Sequence, residues 1–365
     1  MGKQAELEQK RKDAKEEIFT LRNITALGRV FKFLNKLIPR SLSEKNPLYW
    51  LCLIILLNAL ILLPGLLLTV PLDEFEQSGD LLMPTVIATE CIVLGFIVAY
   101  ESHQILFSSI SNRIIEKIND IESLSKLVDW LKASWSIRVI SIYILIFWFF
   151  YAVLVIAGVS IARCSFMGFG YTLMAIMGGV FFGILFHYVF WITLLVFHLR
   201  DYQYDLNALS PADSEIVTNI STTSNTQIYL LAAYFAILTL ITSLGSFGVM
   251  ATPIIAIPIV LISWALVTLQ FIITRSTINS IVERARWKTL NKFQVQINQL
   301  EEAGNPSHKE TSEKILRLLD IHGRVVASRT SVFDFESISA FIRQLMLPLL
   351  GLLMGNMDKL LDFLK

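Results

Sequence analysis

The chain has 365 residues, of which 54% are hydrophobic and only 17% charged, with a formal net charge of +1 and a mean hydropathy of +0.60. A soluble domain carries about 25% charged residues, so this composition excludes an ordinary soluble globular protein and points to an all-α, polytopic membrane protein. The three cysteines, Cys52, Cys91 and Cys164, are too few and too widely spaced for a disulfide framework or a metal site.

Residues 1–20 alternate Lys, Arg and Glu, the pattern of a solvated helix or a disordered arm. In residues 21–40, Ile24, Leu27, Phe31, Leu34 and Ile38 fall on one helical face, and Arg22, Arg29 and Lys36 on another. Such a basic amphipathic helix suits either an anionic membrane surface or packing on the protein's own cytosolic helices.

Six apolar stretches follow, each close to the ~20 residues that cross a bilayer. They are Leu48–Val70, Met83–Tyr100, Val139–Ala162, Met167–His198, Ile228–Met250 and Pro253–Thr274. Between the second and third, an isoleucine pattern at 105, 110, 114, 118 and 121 extends the helix beyond the membrane, and Leu124, Leu127, Val128 and Leu131 continue it. The polar segment 199–227 reads as a loop in which Ser210-Pro211 starts a helix. After Thr274 a helical pattern runs on to a stop at Gly304-Asn305-Pro306, and a second helix pairs with it. A last helix opens at Asp334 and carries the apolar run 345–355. Eleven residues are too few to span, so this run is expected to be buried or interfacial in preference to re-entrant.

The expected architecture is therefore a bundle of six transmembrane helices with cytosolic helical extensions. A cytosolic arm occupies residues 1–47. The membrane domain occupies 48–274 and includes a cytosolic helical loop, 101–137. A cytosolic helical region occupies 275–365 and ends in the short apolar helix. Thirty of the 31 Lys and Arg residues then lie on one side, Arg163 being the exception. The positive-inside rule places both termini in the cytoplasm of a plasma or inner membrane.

Within the fourth apolar stretch, Ala175, Gly179, Gly183, His187 and Trp191 recur every four residues. On a helix these positions form one stripe, whose small residues Ala175, Gly179 and Gly183 make a ridge for close packing and whose next member is an imidazole. Glu90 is the only acid well inside an apolar stretch, which makes it a functional candidate. Glu101, eleven residues later, shares its face. With His187 the two acids define a candidate polar path for a proton or cation: Glu90, Glu101, His187.

No metalloprotease, nucleophile-elbow, phosphate-loop or dinucleotide motif is present. No cofactor, metal or nucleic-acid partner is expected, and the chain does not read as an enzyme. The leading expectation is a homo-oligomeric ion channel or membrane-permeability component with a cytosolic gating domain. One alternative is a membrane-anchored scaffold or sensor for a cytosolic partner protein. A second is a proton-coupled transporter. The lipid bilayer is the expected partner in all three.

Overall fold

The computed structural model describes residues 2–39, 47–69, 79–146, 148–149, 167–244, 253–303, 309–327 and 335–355. These residues are all-helical except for connecting turns and one isolated antiparallel bridge, Ile118 with Tyr204. Three helical stretches among them are long and apolar enough to cross a membrane: Glu90–Lys117, Gly179–Leu199 and Val260–Glu302. Three shorter apolar helical stretches, Pro47–Leu60, Ile137–Ile146 and Ile338–Met354, lie among the described residues as well. The second half of the expected third span, the acidic loop at 70–78 and the turn at 245–252 fall outside them.

The N-terminal segment folds onto the protein. Helix α1 (Gly2–Ile24) buries Ala14, Ile18 and Leu21. Its polar side is tied down by Arg11 Nη2, which donates to the Ile118 carbonyl at 2.6 Å, and by the Lys15–Glu116 pair at 2.6 Å. Thr25 then interrupts the helix and caps α2 (Ala26–Leu37), accepting the Gly28 N–H at 3.0 Å. The apolar face of α2 packs on the protein: Leu27, Phe31 and Leu34 are buried, and the Phe31 ring stacks on Tyr100 at 3.7 Å. Burying each such side chain stabilises by roughly 1.5–3 kcal/mol. Ile24 departs from the expected face and is 48% exposed. The break at Thr25 resets the helical phase, so the residue before it no longer lines up with those after.

Helices α3 (Pro47–Thr69) and α4 (Gly79–Ser109) follow. The isoleucine pattern does not extend α4 unbroken. A π-turn (Ile110–Ile114) and a 3-10 turn (Ile115–Lys117) end it at Ile118. Isoleucines four apart drift off a 3.6-residue face; the wider turn keeps Ile110 and Ile114 both buried, and Ile118 is buried in extended backbone after the 3-10 turn. Ile118 then bridges to Tyr204, and Asp120 caps α5 (Ile121–Ser134) by accepting the Ser123 N–H at 2.9 Å. The buried face of α5 includes Leu124, Leu127, Val128 and Leu131.

Helix α6 (Ile137–Ile146) leads toward α7 (Met167–Leu199). The polar segment after α7 is a loop only as far as Ser214. Pro211–Asp213 forms a single 3-10 turn, and α8 (Glu215–Leu244) already includes residues 215–227. The sequence expectation took polarity there for solvent exposure. In the structure Thr223, Ser224 and Gln227 are buried.

Helix α9 (Pro253–Ala303) is one unbroken run of 51 residues, about 76 Å long at 1.5 Å per residue. Helix α10 (Lys309–Ala327) folds back on it, with Arg286 Nε donating to the Val325 carbonyl at 3.2 Å. Helix α11 (Phe335–Gly355) packs along α8 and also touches α9.

The stripe on α7 meets α6 and the end of α5 along its length. A Cβ added at Gly183 would stand 2.6 Å from the Ile144 Cα, and one at Gly179 would stand 3.0 Å from the Trp148 Cα. Further along, His187 faces Tyr143 and Trp135, and Trp191 meets Trp130. Of Ala175 only its place in α7 is described.

Gly183→Val is therefore expected to force α6 off α7 and to lower the thermal midpoint in detergent by several degrees. Gly323→Ala on α10, with nothing within 4 Å of the added carbon, is expected to raise stability slightly, by up to ~1 kcal/mol. The Ser123 N–H holds the Asp120 carboxyl below its usual 3.8. A depressed carboxyl stabilises the fold above its unfolded value, and that contribution is lost as pH falls through the lower, folded value. Stability measured against pH should show this acid loss in the wild type and lack it in Asp120→Ala.

Candidate functional site

The buried polar groups gather where α4, α7 and α8 meet the end of α5. Ser102 on α4, Tyr188 on α7 and Gln227 on α8 form a closed set. The Tyr188 hydroxyl donates to Ser102 Oγ at 2.6 Å, Ser102 Oγ donates to Gln227 Oε1, and Gln227 Nε2 donates to the Ser102 carbonyl at 3.1 Å. Two turns along α4, Ser109 and Thr223 share a hydroxyl–hydroxyl bond. In the other direction, Gly95 lets Tyr234 and Leu185 approach α4 closely, and the Tyr234 hydroxyl donates to the Cys91 carbonyl at 3.3 Å.

Beside this set stand two imidazoles with an indole between them. Trp135, which ends α5, has its ring 5.6 Å from His103 and 5.2 Å from His187, edge-on to both. His187 Nε2 lies 3.0 Å from the Ser134 carbonyl. A carbonyl only accepts, so this nitrogen carries the proton. His103 Nε2 lies 3.1 Å from Thr25 Oγ1. The single Thr25 hydroxyl proton goes to the Arg22 carbonyl, which makes His103 Nε2 the donor here as well. Its Nδ1 is buried without a hydrogen-bond partner. Thr25 thus does three things: it caps α2, closes the end of α1 and binds the core imidazole. It joins the arm to the bundle core, alongside the Arg11, Lys15 and Phe31 contacts.

Trp135 also lines a groove of about 810 Å³ between the arm and the α5–α6 junction. Leu21, Ile24, Ile137 and Ile140 form its apolar walls, and the Glu17–Lys132 ion pair at 2.9 Å lies at its edge. Its volume lies within the ~300–1,000 Å³ of small-molecule clefts.

The sequence-derived candidates distribute differently. His187 is buried, and its ring and hydrogen-bond contacts are Ser134, Trp135, Tyr143 and Trp191. Neither Glu90 nor Glu101 is among them. Both acids lie on α4 and are partly exposed. His187 is joined instead to Tyr188, Ser102, His103 and Gln227 through the shared rings and hydroxyls. Sequence reading passed over His103 because it lies beyond the expected end of the second span, and over Gln227 because its segment reads as loop. Among the described residues no group of three or more His, Cys, Asp or Glu stands where it could hold a metal ion.

Comparison with family models, with curated proteins and with solved structures finds no match. The fold and the site define the class on their own: an all-helical protein with helices able to cross a membrane and a hydrogen-bonded polar layer sealed inside the bundle.

Thr25→Val keeps the side-chain volume but removes the cap and the hydroxyl partner of His103. It is expected to cost about 1–3 kcal/mol and to speed tryptic cleavage at Arg22 and Arg29. Ser125→Ala, at an exposed position of α5, should leave the cleavage rate unchanged.

Proposed function

We propose that the chain is a non-enzymatic integral membrane protein threaded by six helices, with both termini in the cytoplasm. In this reading the bundle anchors a helical platform that docks a cytosolic partner protein. The six-fold threading is supported by five of the six expected stretches, which coincide with three long and two short apolar helical stretches, and by thirty of 31 basic residues falling on one side of it.

The observation that carries the platform reading is the α9–α10 hairpin. Residues 275–303 of α9 run about 43 Å beyond the apolar part of the helix. Trp287 and Val295 on α9, with Leu316, Leu319 and Val326 on α10, leave their apolar side chains exposed there. Apolar groups gathered on a surface outside the bilayer are characteristic of an interaction face. The polar layer argues against a pore through a single copy, because its members bond one another instead of lining a lumen.

The homo-oligomeric channel is the second reading. It is favoured by Glu90, a carboxylate partly exposed on an apolar helix, which a neighbouring copy would shield.

The two readings separate in one pair of measurements. A photo-crosslinking residue at Leu316 or Leu319 in native membranes is expected to give a discrete heterologous adduct that Leu316→Asp abolishes, while the purified protein in planar bilayers stays silent at both polarities. Unitary currents altered by Glu90→Gln, without an adduct, would overturn the platform in favour of the channel.

A further inference from the structure

Helix α11 lies outside the six expected spans, yet it packs on two of them. The Phe341 ring stacks on Phe271 of α9 at 4.2 Å. Trp264 Nε1 donates to the Leu345 carbonyl at 3.0 Å. Thr239 Oγ1 donates to the Pro348 carbonyl at 3.0 Å. A Cβ on Gly351 would stand 2.2 Å from the Ala236 carbonyl oxygen, so backbone meets backbone there. Successive residues of α11 thus meet Phe271, Trp264, Thr239 and Ala236, all within the apolar stretches of α8 and α9. A helix in contact with those residues shares their depth.

The outward side of α11 has a matching chemistry. Ile338, Ile342, Met346, Leu350, Leu353 and Met354 are exposed along it. The last charge among the described residues of α11 is Arg343, also exposed. From Gln344 to Met354 every residue on the exposed side is apolar, over about 16 Å of helix. The face is continuous in character with Leu261, Ile262, Leu269 and Ile272, exposed on α9. The one strongly polar side chain in this stretch, Gln344, is turned inward and buried. This is the inverse of a helix resting in water, where the polar residue faces out.

We propose that α11 re-enters the bilayer beside α8 and α9, with its outer face of Ile342, Met346, Leu350 and Leu353 covered by lipid acyl chains and Arg343 at headgroup level. The chain leaves the membrane along α9, turns back through α10 and inserts again. The expected cytosolic C-terminal region is then a loop between two membrane segments as far as α11. The proposal rests on the reading of α8 and α9 as membrane spans.

The test is spin-label accessibility in liposomes. Single cysteines replace Ile342, Met346, Leu350 or Leu353 in full-length protein whose native cysteines are changed to alanine. Leu269→Cys on α9 and Leu316→Cys on α10 are the references. The labelled side chains are already exposed, so the label disturbs no packing. Collision with oxygen is expected to exceed collision with a water-soluble nickel chelate several-fold at Leu350→Cys and Leu353→Cys, as at Leu269→Cys, and the ratio should climb from position 342 to 350. Chelate-dominated collision at Leu350→Cys with Leu269→Cys still oxygen-dominated would overturn the proposal and leave the spans standing. Low collision with both reagents along α11 would overturn it in favour of a protein cover, such as a second copy. Chelate-dominated collision at Leu269→Cys would remove the membrane reading itself.

Discussion

A hydroxyl, amide or imidazole buried among apolar helices has no bulk water to bond, and leaving it unpaired costs about 1–3 kcal/mol. That constraint arranges the centre of this protein. Ser102, Tyr188 and Gln227 come from three helices and satisfy one another, which fixes the rotation and axial position of α4, α7 and α8 more tightly than apolar packing does. Leucine against leucine tolerates sliding. A hydroxyl that must meet one amide oxygen does not.

The same constraint explains how the N-terminal arm belongs to the bundle. His103 needs a partner for its N–H, and α4 offers none on its own face. Thr25 supplies it from the break between α1 and α2. Trp135 fills the space between His103 and His187 and brings the end of α5 against both. The glycines of α7 act on the other side of this layer. Their missing side chains let α6 come close enough for Tyr143 and Ser134 to reach His187. A local feature of one helix thus sets the geometry of a site two turns away.

Much of the helical framework was legible in the sequence. The length of α9, the amphipathic face of α2, the buried leucines of α5 and the small-residue stripe of α7 all follow from periodicity. The polar layer was not legible, for a physical reason. A single sequence shows that Thr223, Ser224 and Gln227 are polar, and polarity reads as exposure until the partners on another helix are known. The acids were picked instead because charge in an apolar stretch stands out, whereas a serine and a tyrosine do not. The bond that ties Thr25 to the core was equally hidden, since its partner is a histidine 78 positions away. In α11 the apolar run 345–355 was visible, and the place where it lies was set by Gly351, Pro348 and Phe341 meeting α8 and α9.

The central claim is that the polar layer closes the bundle with its own hydrogen bonds and carries no water path. Thiol accessibility at Ser102→Cys tests it most directly, with the protein in sealed vesicles, native cysteines replaced and a small water-soluble cationic methanethiosulfonate applied from either side. The account predicts no modification from either side until the fold is opened by denaturant. Rapid modification of the folded protein from one or both sides would contradict it, and would make the layer the lining of an aqueous route.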